Sequence, residues 1–200
     1  MKQLRLAAMV MGLVLGWSAA IPQNVSELFT ETGHIVMQGR SAAYVIRHLP
    51  PSSFPELPAA IAQQLTQRGC LIPQTYEAHG PENVIHASLE RTDSSDWAML
   101  CSSRGEVSLL VFFASAPQRP TVLAAAQETT RLQPHGASAT LGFNWGIDAA
   151  SPKTVHEAQA GLGHRPPAPD HDALADSVVE GRTAYRFFAK GRWTTLDVPE

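Results

Sequence analysis

The stretch "DWAMLCSSRGEVSLLVFFAS" (residues 96–115) decides the fold class of this chain. In its first half, Trp97, Met99 and Cys101 recur with a period of two, which places them on one face of a strand. The second half, "VSLLVFFAS", is apolar at successive positions and predicts a central strand that is covered on both faces. Arg104, Gly105 and Glu106 supply the turn between the two halves. The stretch therefore predicts an antiparallel pair of strands.

The residues before this strand pair predict a third strand and a helix. "NVIHASLER" (residues 83–91) alternates apolar and polar side chains, so that residues 83–115 read as a three-stranded meander. Further upstream, Leu57, Ile61 and Leu65 recur every four residues and predict a helix over 57–68. Pro58 suits the first turn of that helix, and Gly69 suits the position just past its end.

The residues after the pair carry weaker signals. "TAYRFFAKGRWTTLDV" (residues 183–198) has two β-prone runs around Lys190-Gly191, which predicts a hairpin but leaves a two-residue or a three-residue loop open. Residues 151–161 begin with a cap residue followed by proline and end in glycine, which predicts a helix. Residues 121–131 are predicted to form a short helix, and "TLGFNWGID" is predicted to form a strand.

The N-terminal residues have the three parts of a secretory signal peptide. Lys2 and Arg5 precede an apolar run of residues 6–17, and Ser18 and Ala20 frame a cleavage site. This run is shorter than the roughly 20 residues of a membrane-spanning helix, so we expect no membrane span in the mature chain. We therefore expect an exported protein, periplasmic or extracellular, with a signal peptide at 1–20.

Two further segments follow the predicted signal peptide. Residues 21–53 are predicted to be an N-terminal arm, with a hairpin around Gln38-Gly39 and a proline-rich connector. Residues 54–200 are predicted to be a single α+β domain.

Cys70 and Cys101 are the only cysteines in the chain. Oxidising compartments favour disulfides, and two cysteines allow a single pairing. A structural zinc site needs about four ligands, and a nucleophilic Cys70 would need a free thiol and a neighbouring histidine. We therefore favour a disulfide between Cys70 and Cys101, which would clamp the end of the 57–68 helix to a strand.

Charge excludes one class of partner. The chain has 15 Lys and Arg residues against 18 Asp and Glu residues, and removal of Lys2 and Arg5 makes it more acidic still. Scattered charges with an acidic excess leave no electrostatic footprint for nucleic acid. The sequence identifies no partner, and we expect an envelope protein or a small ligand and no cofactor.

Two clusters of side chains contain residue types that can bind a metal ion. Asp170, Asp172 and Asp176 have oxygen-rich spacing that can hold calcium, but Ala175 and Gly181 stand where a calcium loop of this type needs glycine and glutamate. We favour an acidic loop in which Asp176 caps the next element. The second cluster comprises His79, Glu82 and His86. Because short motifs match by chance, we interpret these three as ordinary loop and sheet residues.

Several segments of the chain resemble a group of exported bacterial proteins of unknown function. They are "RGCLIPQ", with a Gly-Cys-x-Ile-Pro-Gln box, "NVIHASLERTDSSDWAMLCSS", with an Asp-Trp-Ala box ahead of the second cysteine, "LLVFFAS", and "DHDALADSVVEGRTAYRFFAKGRW", which ends in a Gly-Lys/Arg-Trp hairpin. The resemblance covers most of residues 54–196 and leaves the preceding arm outside. It implies a bacterial exported domain with a linked cysteine pair, and it implies no activity.

The fold class that follows is α+β: an antiparallel sheet, made of the meander and the C-terminal hairpin, packed by one or two helices and stapled by one disulfide. Two functions remain open. The first is a non-catalytic periplasmic or secreted binding module, and it rests on export and the single disulfide. The alternative is a metal-assisted hydrolase that uses the loop of residues 170–176 together with a distant histidine.

Overall fold

The computed structural model of the protein describes residues 28–37, 39–136, 140–163 and 165–198. The predicted signal peptide of residues 1–20 lies outside these ranges. Within them the chain forms two α-helices, α1 (Ala59–Gln67) and α2 (Pro152–Ala158). The strands are β1 (Phe29–Met37), β2 (Arg40–Leu49), β3 (Ile72–Gln74), β4 (Val84–Ala87), β5 (Asp96–Ser103), β6 (Glu106–Phe112), β7 (Thr121–Gln127), β8 (Leu132–His135), β9 (Thr140–Phe143), β10 (Trp145–Ala150), β11 (Ala173–Val178), β12 (Thr183–Ala189) and β13 (Arg192–Asp197). Among the described residues, no helix is both long enough and apolar enough to cross a membrane.

The strands form three sheets. The N-terminal sheet has the order β1-β2-β9-β8, with β3 also paired to β2, the meander sheet has the order β4-β5-β6-β7, and the C-terminal sheet has the order β10-β11-β12-β13. The predicted α+β class is confirmed: antiparallel meanders, two helices and one disulfide. One detail of the prediction differs, because the meander and the C-terminal hairpin belong to two sheets rather than to one.

The meander sheet lies at the centre of the core, as the pattern of residues 96–115 predicts. Strands β5 and β6 pair over their full length, and Trp97 lies opposite Phe112. Side chains on one face, Trp97 and Met99 among them, pack in the same apolar cluster as α1. Side chains on the other face, such as Leu100 and Leu109, pack against the other two sheets. Both strands are therefore buried on both faces.

The disulfide joins α1 to the meander sheet. Helix α1 turns its Ile61 and Leu65 into the core, and the chain leaves it through Gly69 with a positive φ of 67°. Cys70 then meets Cys101 of β5, with a Cα–Cα distance of 5.2 Å. The predicted pairing is confirmed. The next residue along, Leu71, bridges to Ser102, which follows Cys101.

The N-terminal hairpin is longer than predicted and continues into a sheet. Strand β2 pairs with β3 in antiparallel fashion and with β9 in parallel fashion. Its side chains Ile46 and Leu49 are buried in the two main core clusters. Pairing with strands that come later in the sequence places the hairpin against the rest of the fold.

The helix predicted over residues 121–131 is wrong. Thr121–Gln127 form strand β7 on the edge of the meander sheet, and a 3-10 turn follows at Glu128–Thr130. The reason is tertiary, because β7 completes a hydrogen-bonded ladder with β6 and lays Leu123 and Ala124 on the core. Pairing with a covered strand outweighs the intrinsic helical propensity of an alanine run.

The predicted helix of residues 151–161 and the predicted extended form of "TLGFNWGID" are both confirmed, with one difference in the second. Ser151 caps the N-terminus of helix α2, because its hydroxyl accepts a hydrogen bond from the Thr154 amide at 3.1 Å. The segment "TLGFNWGID" is extended but splits into β9 and β10, which belong to different sheets. The change of sheet occurs at Asn144, whose amide donates to the carbonyl of Arg131.

The C-terminal hairpin closes with a two-residue loop, which decides the register that the sequence left open. Ala189 pairs with Arg192, and Lys190 and Gly191 have φ values of 51° and 76°. Two successive positive φ values are the mark of a type I′ turn, in which asparagine followed by glycine is preferred.

Replacement of the lysine in this turn is expected to stabilise the protein. Lys190→Asn should raise the free energy of unfolding by about 0.5–1 kcal/mol, because asparagine tolerates the left-handed conformation better than lysine. Gly191→Ala should lower it by about 1 kcal/mol for the opposite reason. Urea denaturation of both variants measures the pair of effects, and a change of the same sign in both would contradict this account of the turn.

Candidate metal centre

Three side chains from distant parts of the sequence converge at one end of the N-terminal sheet. Glu31 lies on β1, His48 on β2 and Glu128 in the 3-10 turn after β7. Glu31 pairs with Ile46, so His48 is its diagonal neighbour on the same face of the hairpin. The amide of Glu128 donates to the carbonyl of Gly105 at 2.8 Å, which holds the turn against the meander sheet.

The ligand atoms of these residues lie close together. One nitrogen or oxygen from each of Glu31, His48 and Glu128 lies within 4.8 Å of the others. His48 Nε2 and Glu128 Oε1 are 2.6 Å apart, and their side chains are only 4% and 3% exposed. A buried imidazole and a buried carboxylate thus face each other, with an exposed carboxylate beside them.

Two hydroxyl groups orient the carboxylates. Ser102 Oγ donates to Glu128 Oε2 at 3.0 Å, and the Tyr44 hydroxyl donates to Glu31 Oε1 at 3.0 Å. Burial raises the pKa of Tyr44, and the hydrogen bond to Glu31 and the charges of Glu31 and Glu128 raise it further. The negative charges of both carboxylates therefore disfavour ionisation of the Tyr44 phenol.

A cleft of about 280 Å³ connects the group to solvent. Besides the three converging residues, its lining comprises Phe29, Thr30, Gly69, Leu71, Ser102, Ser103, Arg104 and Gly105. Glu31 is exposed at the mouth, whereas His48 and Glu128 are at the buried end. An ion from solvent would meet Glu31 first and the buried pair next.

The donor set suits a divalent transition-metal ion. One imidazole nitrogen and two carboxylate oxygens are ligands that zinc takes in proteins at about 2.0–2.2 Å, and a tetrahedron of such bonds separates its ligand atoms by roughly 3.3–3.5 Å. The 2.6 Å gap between His48 and Glu128 would open by less than an ångström to reach that separation. The hydroxyl of Ser102 would keep Glu128 oriented, as outer-shell donors do in metal sites.

The three aspartates singled out in the sequence have separate partners. Asp172 Oδ2 accepts from the Ser88 amide at 3.1 Å. Asp176 lies within β11 and accepts from Trp145 Nε1 at 2.6 Å and from Arg186 Nε at 2.7 Å. The Asp170 side chain is 90% exposed and lies 4.0 Å from His171. Asp176 is therefore a strand residue in an ion pair, and it does not cap an element as predicted.

The second cluster from the sequence is also spread out. Glu82 Oε1 accepts from the Thr75 amide at 2.5 Å. His86 stacks on Trp97 with ring centroids 4.5 Å apart and lies 2.7 Å from Ser95 Oγ. His79 lines a different cleft, of about 310 Å³. Each of the three has its own neighbours in the described part of the chain.

Sequence reasoning missed Glu31, His48 and Glu128. His48 and Glu128 are 80 positions apart, and no motif links them. One signal was present, because His48 is in phase with Tyr44 and Ile46 along a strand whose apolar positions face inward. Nothing in the sequence marked Glu128, which lies in a segment interpreted as a helix.

Comparison of the chain with protein-family models, with curated proteins and with solved structures finds no match. The resemblance to exported bacterial proteins therefore stays a prediction. Any functional assignment has to be argued from the site itself.

Proposed function

We propose that this chain is an exported, non-catalytic binding module that holds a divalent transition-metal ion between Glu31, His48 and Glu128. The observation that carries the proposal is the meeting of a buried imidazole and a buried carboxylate with a third ligand at the mouth of a cleft. Buried ionisable groups are costly unless they are paired or coordinate a metal. His48 and Glu128 are paired, and a cation bound beside Glu31 would in addition balance the charge of the two carboxylates.

The class of metal follows from the ligands. Imidazole suits zinc, copper, iron and nickel, whereas calcium and magnesium prefer sites made of oxygen alone. Zinc is the appropriate first probe, because it accepts a mixture of nitrogen and oxygen ligands without redox chemistry. Three protein ligands leave a fourth position for water or for a group of a partner molecule.

Binding has more support than hydrolysis. The binding role rests on all three acid–base groups of the cleft serving as ligands in this arrangement. The alternative, a hydrolase built on the loop of residues 170–176, has less support because Asp172 and Asp176 already accept hydrogen bonds from the fold.

Export is supported by the disulfide and by the signal-like N-terminal pattern. An envelope protein or a small ligand is the partner class that fits this location.

Zinc is expected to bind with one-to-one stoichiometry and to stabilise the protein. At a free zinc concentration 100 times Kd, the free energy of unfolding should rise by about 2.7 kcal/mol. For a chain of this size that corresponds to a rise in Tm of roughly 5–11 °C. Thermal melting and isothermal titration calorimetry of the chain without residues 1–20 measure both quantities.

Three variants identify the site. Glu31→Gln removes an exposed ligand, and we expect it to weaken zinc binding by at least about tenfold while leaving the fold intact. Ser102→Ala removes the hydrogen bond to Glu128 and should cost about 10–100-fold. Glu56→Gln, an exposed glutamate on another part of the surface, is the matched control and should bind like the wild type. Equal zinc affinity in Glu31→Gln and in the wild type would refute the proposed site.

A further inference from the structure

Another cleft, in the C-terminal sheet, is lined mainly by charged side chains. Its volume is about 110 Å³, enough for one small functional group. Three arginines line it, Arg131, Arg182 and Arg186, together with Asp176, Asp197, Val178 and Ala184. Convergence of three guanidinium groups in so small a space is unfavourable unless anions balance them.

One of the three arginines is already neutralised. Arg186 Nε donates to Asp176 Oδ2 at 2.7 Å, and the other oxygen of Asp176 accepts from Trp145 Nε1 at 2.6 Å. Both oxygens of this aspartate are therefore occupied. The pair is largely buried, with the Asp176 side chain 11% exposed.

The other two arginines keep their hydrogen-bonding capacity. The Arg131 guanidinium lies over the Trp145 ring, 4.2 Å from its centroid, which fixes its plane without using its N–H donors. Among the ion pairs of the described residues, none involves Arg131 or Arg182. Burial is the main cause that lowers the pKa of Arg131; Asp176 opposes this shift, and Arg182 and Arg186 add to it.

The balance of charge selects the kind of anion. Three arginines against Asp176 and Asp197 leave an excess of one positive charge at the cleft. A carboxylate brings one negative charge and two oxygens in a plane, the geometry that a guanidinium fork binds with two parallel hydrogen bonds. A phosphate group carries about 1.5–2 negative charges near neutral pH and would leave the cleft negative.

We propose that this cleft binds the carboxylate group of a small molecule or of a peptide, with Arg131 and Arg182 as the binding residues. Arg131 would be held in place by Trp145, and Arg182 would approach from the turn before β12. Asp176 acts as a positioning residue, because it accepts hydrogen bonds from Arg186 on the cleft wall and from the Trp145 indole that lies under Arg131. The site is independent of the proposed metal centre.

The Trp145 indole provides a reporter next to the cleft, because its Nε1–H donates to Asp176 of the cleft wall and its ring lies under the Arg131 guanidinium. We expect sodium acetate, titrated against ¹⁵N-labelled protein at constant ionic strength and with EDTA present, to shift the Trp145 Nε1–H and Arg131 Nε–H signals. The shifts should saturate with a Kd of roughly millimolar size, as suits a four-atom ligand. Chloride at the same ionic strength should give no saturable shift, and inorganic phosphate should bind more weakly than acetate.

Two matched substitutions complete the test. Arg182→Gln removes an exposed charge without a hydrogen bond to the fold, and we expect the Kd for acetate to rise about tenfold. Arg192→Gln removes an exposed arginine from β13 outside the cleft and should leave the Kd unchanged. The proposal is overturned if acetate behaves like chloride, if phosphate binds more tightly than acetate, or if both variants bind acetate like the wild type. Because EDTA removes any metal, failure of this test leaves the metal centre untouched.

Discussion

Asp96→Ala is expected to lower the free energy of unfolding by about 3–5 kcal/mol, which is the largest effect we predict for a single substitution. Asp96 is fully buried, at 0% exposure. Its Oδ2 accepts from the amides of Leu89 and Glu90 at 2.9 and 2.7 Å and from the Ser94 hydroxyl. Its Oδ1 accepts from the Ala114 amide at 2.7 Å.

The size of the effect follows from what the substitution leaves behind. Removal of the carboxylate leaves three backbone N–H groups without their acceptor, the buried one of Leu89 and the part-buried ones of Glu90 and Ala114. A buried donor without a partner costs about 1–3 kcal/mol, and a part-buried donor costs less. These donors belong to the loop before β5 and to the residues after β6, so Asp96 holds the two chain segments together at the open end of the central strand pair. Water entering the vacated space would recover part of the loss.

Urea denaturation of Asp96→Ala and of the wild type measures this prediction. Asp170→Ala is the matched control, because the Asp170 side chain is 90% exposed and its removal should change stability by less than about 0.5 kcal/mol. Asp96→Asn keeps the shape but turns an N–H₂ group toward backbone donors, so it should also destabilise the protein. A loss below about 1 kcal/mol in Asp96→Ala would show that these hydrogen bonds are not essential to the fold.

Removal of the disulfide is the second large effect. The double variant Cys70→Ala/Cys101→Ala should lower the free energy of unfolding by about 3–4 kcal/mol, because the bond closes a long loop in the unfolded chain. The variant should also bind zinc more weakly. Leu71 and Ser102, which follow the two cysteines, bridge at the wall of the metal cleft, and Ser102 orients Glu128.

Chemical denaturation and zinc titration of the double variant test the two parts separately. Measurements at low temperature, where the variant is still folded, keep a loss of affinity distinct from unfolding. Ser108→Ala, on the neighbouring strand opposite Cys101, is a control that leaves the disulfide intact. Unchanged zinc affinity in a folded double variant would show that the cleft does not depend on the disulfide.

The sequence alone determined the local elements of this fold. Strands β5 and β6, helix α1 and the C-terminal hairpin were all predictable, because periodicity and turn residues act over a few neighbouring positions. The disulfide was predictable for a different reason, since the N-terminal pattern predicts export and two cysteines have a single way to pair. The cap at Ser151 is likewise a local hydrogen bond, and serine before a helix is sufficient to predict it.

Only the tertiary structure decided how these elements combine. The division into three sheets, the parallel pairing of β2 with β9, and the extended form of β7 depend on which strand edges meet after folding. Both candidate sites depend on the same step. His48 meets Glu128 across 80 positions, and Arg131 reaches the cleft of β11 and β12 by lying over Trp145. No local pattern encodes such meetings, because side chains far apart in sequence become neighbours only through the packing of the sheets that carry them.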